Sequence, residues 1–336
     1  MAQILALPFV KERQCEVVAK PSNLYPLPLR LFELDQALPC TIFFKGSPGG
    51  GPSFQPRGRL FASVPGRHDP AAWGYFDLAE AGPLLSYLSS RLEEHPAPED
   101  ASPLDRAHFL YDMALVWTQH AYFGEDQSRT PEQVHLAMNL LARLLAVLQT
   151  AGHPQGIIQA VRRHDSGVFT HVVNVSVLGL AFARHLGWPE PETIAFGLGA
   201  LLHDIGMASL PRELWAKTEP LTAREQEEIK THPLLGVQLL ESFGELPEEI
   251  FFMTIQHPEG GDGAGYPLGL PEQAIHPWAR LLKLLDTYEA MTSIRPWRAP
   301  LSSPKALKVL QHGAGASSPT PALLADFAEF WGGGEL

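Results

Sequence analysis

The chain has 336 residues, and its 37 Asp and Glu against 25 Lys and Arg give a formal charge of −12. That length allows two domains, each with its own core, while the acidic balance argues against a broad nucleic-acid or anionic-membrane surface, because such partners are held by clustered Lys and Arg. Only Cys15 and Cys40 carry thiols, without metal-type spacing, so neither a disulfide framework nor a thiolate zinc site is indicated, and a reducing cytoplasm is expected.

The first ten residues are apolar but lack a basic leader and a small-residue cleavage site, so no secretory signal is expected. No apolar run reaches the roughly 18 residues that a bilayer crossing needs. From Asn23 to Leu92 the pattern is short and strand-like, with Leu27–Leu34, Cys40–Lys45 and Arg59–Val64 separated by Pro and Gly clusters. This predicts a small β-rich domain over 1–95. The glycine-rich run Gly46–Ser53 lacks the Gly-Lys-Ser/Thr ending of a phosphate cradle and reads as a hairpin loop.

Residues 96–106, rich in Pro and acidic groups, read as a linker. Beyond it the hydrophobic period changes to that of helices. His108–Phe123 and Pro131–Thr150 are predicted as amphipathic connecting helices within 107–150, the second with Pro131 suited to a first turn. A helix over Thr170–Leu186 stops at Gly187 before Pro189, and Pro191–His203 is almost wholly apolar. Thr222 and Glu225 form a capping box, and Pro247–His257 and Pro277–Thr292 complete the predicted helices. The Gly/Ser/Pro-rich stretch after 312 reads as a tail over 313–336. The fold class is therefore mainly α, an all-helical domain over 151–312 preceded by the small β-rich one.

His and Asp residues stand at or near the ends of these helices: His171, His203-Asp204, His232, His257 and Asp286. A hard divalent cation needs several N or O ligands from different directions, and one helix presents only one or two, so converging helices suit this chemistry. A His-Asp pair alone says little, since it also occurs at His68-Asp69 and His164-Asp165; the pair at 203–204 follows the apolar wall Leu198–Leu202, which would bury it. Singly, each histidine reads better as a helix C-terminal cap meeting the dipole; together, with the words around them, they do not. His164 and Asp165 read as the turn before a helix, His153, His185 and His276 as solvated, and Trp188, Trp278 and Trp297 as packing, with nucleobase stacking open for Trp297.

Four words surround the histidines: Leu201-Leu-His-Asp-Ile-Gly206, Ile229-Lys-Thr-His-Pro233 with Gly236, Gln256-His-Pro-Glu-Gly-Gly-Asp-Gly-Ala-Gly-Tyr-Pro267, and Asp286-Thr-Tyr-Glu-Ala-Met-Thr-Ser293 with Arg295-Pro-Trp-Arg298. In this order, over roughly 152–312, they resemble the HD-GYP subfamily of HD-domain phosphohydrolases. The resemblance implies a helical catalytic domain, iron, manganese or magnesium ions, and hydrolysis of cyclic di-GMP to pGpG or GMP in bacterial signalling. It implies His171, His203, Asp204 and Asp286 as ligands of one metal, with Asp204 bridging to a second held by His232 and His257. It further implies Gly265 and Tyr266 as the substrate loop, and Arg295 and Arg298 as groups meeting phosphate.

Three positions depart from the family pattern. Pro258 replaces the second of two adjacent histidines, Met207 replaces a Lys after His-Asp-Ile-Gly, and Gly167 stands where some members place a carboxylate for a third metal. One or two divalent ions are therefore expected, with Glu259 or solvent filling the position opposite Pro258. Two readings stay open: a phosphodiesterase of reduced activity, or an inactive module that binds a nucleotide or a signalling protein partner. Neither a nucleic-acid polymer nor membrane insertion is expected.

Overall fold

A computed structural model describes residues 24–28, 31–32, 36–44, 53–55, 57–58, 73–94, 102–124, 129–162, 167–215, 217, 219–295, 298–311 and 321–332. The predicted strand at 59–64, the loop 46–52, the linker stretch 96–101, the pairs at 68–69 and 164–165, Trp297, Cys15 and the tail segment 313–320 lie outside these residues. The chain forms two compact units, Met1–Arg129 and Thr130–Leu336.

In the first unit, β1 (Leu24–Pro28), β2 (Ile42–Phe44), β3 (Ser53–Gln55) and β4 (Trp73–Asp77) make an antiparallel sheet in the order β1-β4-β2-β3. Leu27, Ile42 and Phe76 from three different strands are fully buried. Helix α1 (Ala81–Glu94) buries Leu84, Leu85, Leu88 and Leu92, an apolar stripe at helical spacing. Helix α2 (Pro103–Phe123) begins within the stretch read as linker. Ser102 caps it by accepting from the Asp105 amide, and Pro103 takes the first turn, where no amide donor is needed. Most of α2 from Ala107 to Tyr122 is buried, and the helix belongs to this unit.

The second unit is helical. It comprises α3 (Pro131–Thr150), α4 (Pro154–Val161), α5 (Val168–His185), α6 (Glu190–Leu202), a 3-10 turn over Ile205–Ser209, α7 (Arg212–Trp215), α8 (Ala223–Ile229), α9 (His232–Leu240), α10 (Glu248–Gln256), α11 (Pro277–Thr292), α12 (Ser303–Gln311) and α13 (Pro321–Gly332). The predicted stop holds: α5 ends in a turn where Gly187 takes φ 81° and the Trp188 amide donates to the Ala183 carbonyl. The capping box forms as read, with Thr222 and Glu225 bonding each other's amides. The region predicted as a tail contributes α13, whose Leu324, Phe327, Phe330 and Trp331 are buried, with Phe327 against Phe182 of α5 and Tyr288 of α11. Its apolar groups recur every three to four residues, so the helix has a face to bury that a tail lacks.

Candidate metal centre

Five elements converge on one place, four of them by an end. His171 lies in the first turn of α5, His203 caps the end of α6 with Asp204 next to it, His232 opens α9, His257 caps α10, and Asp286 projects from the middle of α11. The turn after Asp204 fits tightly on α9. A Cβ added to Gly206 would lie 1.9 Å from the His232 carbonyl oxygen, so the glycine sets the spacing of Asp204 and His232.

The four histidines are buried, and the two Asp side chains keep 18% and 23% of their surface open. His232 Nε2 and His257 Nε2 stand 3.2 and 3.4 Å from Asp204 Oδ1, His203 Nε2 is 3.5 Å from Asp204 Oδ2, and His171 Nε2 is 3.0 Å from Asp286 Oδ1. Two sets, His171-His203-Asp204 and Asp204-His232-His257, have ligand atoms within 4.8 Å of one another. Five of the six residues expected as ligands fall in these sets, with Asp204 common to both, and Asp286 joins them through His171.

The tautomers follow from the backbone. The Nδ1 atoms of His203, His232 and His257 face the carbonyls of Ala200, Ile229 and Thr254 at 2.8, 2.8 and 3.0 Å. A carbonyl only accepts, so each neutral ring donates from Nδ1 and turns the lone pair of Nε2 toward Asp204. His232 Nε2 and His257 Nε2 lie 3.2 Å apart, and the buried His203 Nε2 has no hydrogen-bond partner. Lone pairs and carboxylates crowded together repel unless a positive charge sits among them, and the donor set of imidazole and carboxylate suits a divalent transition metal.

Protonated imidazoles also supply positive charge: against burial, the carboxylates beside them raise both His203 and His171. Burial works against ionised Asp204, yet His203, His232 and His257 outweigh it and hold the carboxyl well below its usual range. Burial likewise opposes a charged His171, but Glu289 and Asp286 lift it to about 10. His257 is pushed down to about 4, chiefly by burial.

The glycine-tyrosine-proline loop closes one side. Gly263 and Gly269 take positive φ of 77° and 64° in its turns, and a Cβ at Gly265 would lie 2.1 Å from the Gly260 nitrogen. Tyr266 stands with its ring centroid 6.2 Å from that of His232; burial, then Asp204 and Asp286, raise its hydroxyl so that it stays a donor. Glu259 corrects an expectation: its two carboxylate oxygens accept from the Leu268, Gly269 and Leu270 amides at 2.6, 3.2 and 3.0 Å. It is spent on holding the loop, not on the position opposite Pro258.

Arg298 donates to the carbonyls of Ala290, Met291 and Ala299, capping the end of α11, while Arg295 is bridged to it through the backbone and turns toward Glu289. Trp188 and Trp278 pack together with Phe196, as read. His276 caps α11, its Nδ1 accepting from the Trp278 amide.

Glu289 is the residue that the sequence reading missed. Its buried carboxylate accepts from His171 Nδ1, from Asn174 Nδ2 at 2.7 Å and from Ser293 Oγ. The available signal was its position three residues after Asp286, on the same helix face.

Residues 151–318 match the protein family described as HD domain. The chain is 32% identical over 169 residues to cyclic di-GMP phosphodiesterase PA4108 of Pseudomonas aeruginosa, a match covering 50% of this chain and 41% of that protein. It is 29% identical over 180 residues to the cyclic di-GMP phosphodiesterase response regulator RpfG of Xanthomonas campestris pv. campestris, covering 52% of this chain and 48% of that one. The matches thus span less than half the length of these relatives. Among solved structures, Bd1817, a HDG"Y"P protein from Bdellovibrio bacteriovorus, aligns with a TM-score of 0.67 and 18% identity over 92% of this chain and 100% of that one, a likeness of fold.

Proposed function

Because the chain belongs to the HD domain family, and by its motifs and relatives to the HD-GYP subfamily, we propose that it is a cytoplasmic, bacterial, metal-dependent phosphodiesterase that hydrolyses cyclic di-GMP to pGpG or GMP. The observation that carries this reading is the set of backbone-anchored imidazoles whose Nε2 atoms surround Asp204, with His171 and Asp286 beside them. Of iron, manganese and magnesium, the first two suit the imidazole-rich donor set, whereas magnesium prefers oxygen ligands.

In this reading His171, His203, Asp204 and Asp286 hold one cation, and Asp204 shares a second with His232 and His257. Bound divalent ions supply Lewis acidity to the scissile phosphate and acidify the attacking water. Asp204 keeps both halves of the site in register. Tyr266 offers a phenol donor beside the ligands, with Gly265 letting its loop approach. Arg295 supplies the phosphate-binding charge, and Arg298 holds the turn that carries it.

The second reading, a receptor for a cyclic dinucleotide or a docking module for a signalling protein, is favoured by Pro258, a buried residue with no donor side chain, and by Met207, which offers no charge to a phosphate. Incubation with cyclic di-GMP and manganese or ferrous iron, with pGpG and GMP as readout and Asp204→Ala as control, separates the two. Turnover above the control supports the enzyme. Binding in a calorimeter without turnover supports the receptor.

A further inference from the structure

We propose that Glu289 is a positioning residue that joins the two working parts of this site: one of its carboxylate oxygens both orients the metal-facing nitrogen of His171 and anchors Arg295. The proposal rests on the metal-site reading above and deepens it. Glu289 and Asp286 stand one helical turn apart on α11 and bracket one imidazole, Asp286 at Nε2 and Glu289 at Nδ1. Where the other three histidines donate to backbone carbonyls, His171 donates to a full charge. A carboxylate behind a ligand histidine fixes its tautomer and raises its basicity.

The two oxygens of Glu289 have different duties. Oε1 accepts from Asn174 and Ser293 and lies 3.7 Å from Arg162 Nη2, itself bonded to Thr292 Oγ1 at 2.9 Å. Those partners are buried and serve the core. Oε2 accepts from His171 Nδ1 and lies 3.7 Å from Nη2 of Arg295, which keeps 22% of its side-chain surface open. A mere packing ion pair needs only the Oε1 side. The Oε2 side ties the ligand histidine to the one arginine of the pair whose guanidinium is not taken up by backbone carbonyls. Perturbing either end should therefore be felt at the other, because coupling through a shared group is reciprocal.

The test uses the full chain. Manganese affinity is measured by calorimetry for wild type, Glu289→Gln, Glu289→Asp and Arg162→Met, and cyclic di-GMP binding for Glu289→Gln, Arg295→Met and the double variant. Glutamine should lower manganese affinity about 10- to 100-fold, as loss of an outer partner does, while Arg162→Met lowers stability and leaves that affinity in place. The nucleotide losses of Glu289→Gln and Arg295→Met should fall short of additive. Wild-type manganese affinity in Glu289→Gln, or additive nucleotide losses, overturns the proposal. Should glutamine prevent folding, the shorter aspartate takes its place, and wild-type affinity there overturns it equally. If wild type binds no metal, the functional reading falls on its own, and the ring N–H resonances of His171 decide this one. A downfield Nδ1 proton held against Glu289 that moves upfield in Glu289→Gln supports the orienting role; an unchanged Nδ1 resonance overturns it.

Discussion

The two units differ in the buried charges they keep, although burial pushes one histidine of each, His120 and His257, down to about 4. In the first, burial pushes the Cys40 thiol up to about 12, with Glu80 adding to it, and pushes His120 down to about 4, with Arg129 adding to it; both groups are neutral. In the second, Asp204, Asp286 and Glu289 stay ionised against burial, because imidazoles and Arg162 surround them. An isolated ion taken into a protein interior costs several kcal/mol, and packing alone gives no reason to gather several. The first unit is built as a core is built. The second gathers imidazoles and carboxylates into sets that could hold a cation.

The sharpest way to break this contrast is Asp204→Ala. Asp204 belongs to both ligand sets, whereas changes of outer partners alone cost about 10- to 100-fold in metal affinity. The variant should lose manganese by at least about 100-fold and show no cyclic di-GMP hydrolysis, with its helical circular dichroism kept. Retained metal in elemental analysis would mean that Asp204 is not a ligand, and metal in neither protein would mean that the cluster is ordinary packing and that the units do not differ in kind.

Gly206→Ala tests the frame instead of the ligand. The new methyl would meet the His232 carbonyl oxygen at 1.9 Å, so the turn after Asp204 must move off α9. Overpacking of this kind costs about 1–3 kcal/mol. A lower urea midpoint, together with weaker metal binding, is the expected outcome. Lost stability with unchanged metal affinity would show that the His232 side of the site does not depend on this spacing.

A smaller effect is expected from Pro258→His, which adds a donor beside His257. Of the two halves of the site, the one holding His171 has a carboxylate behind its histidine, whereas His232 and His257 are backed by carbonyls alone. A further imidazole should tighten a second equivalent of manganese by about ten-fold, read as a second inflection in the titration. An unchanged isotherm would mean that the site already takes all the metal its geometry allows.

Much of this arrangement was legible before any coordinates. Helices at 131–150, 170–186 and 277–292 announced themselves through apolar period and stop residues, and the six candidate ligands through motif order. What the pattern did not reveal depended on distant partners. Glu289 was visible as an acidic residue, but its partners His171 and Asn174 lie more than a hundred residues earlier in the chain. Glu259 looked like a spare ligand because local sequence does not show where a carboxylate points. The strand Trp73–Asp77 went unread: sheet neighbours define it, with β1 on one side and β2 on the other. Helix α13 was hidden by the low-complexity stretch before it, which drew attention from its apolar spacing.

The least effect, and the one that tests the first unit directly, comes from pH. His120 Nδ1 is buried without a hydrogen-bond partner, and burial together with Arg129 holds the folded ring near 4, against 6.5 unfolded. As pH falls from about 6.5 toward about 4, the unfolded chain takes up a proton that the folded chain refuses, so stability is fully present above this window and is lost on descending through it. Asparagine at this position does not titrate. Acid also weakens the carboxylates elsewhere, but equally in both proteins, so the difference isolates the imidazole. Urea midpoints at pH 7 and pH 4.5 should therefore fall further for wild type than for His120→Asn. Parallel falls would mean that His120 takes its proton as readily folded as unfolded, and that the first unit does not keep its buried base neutral.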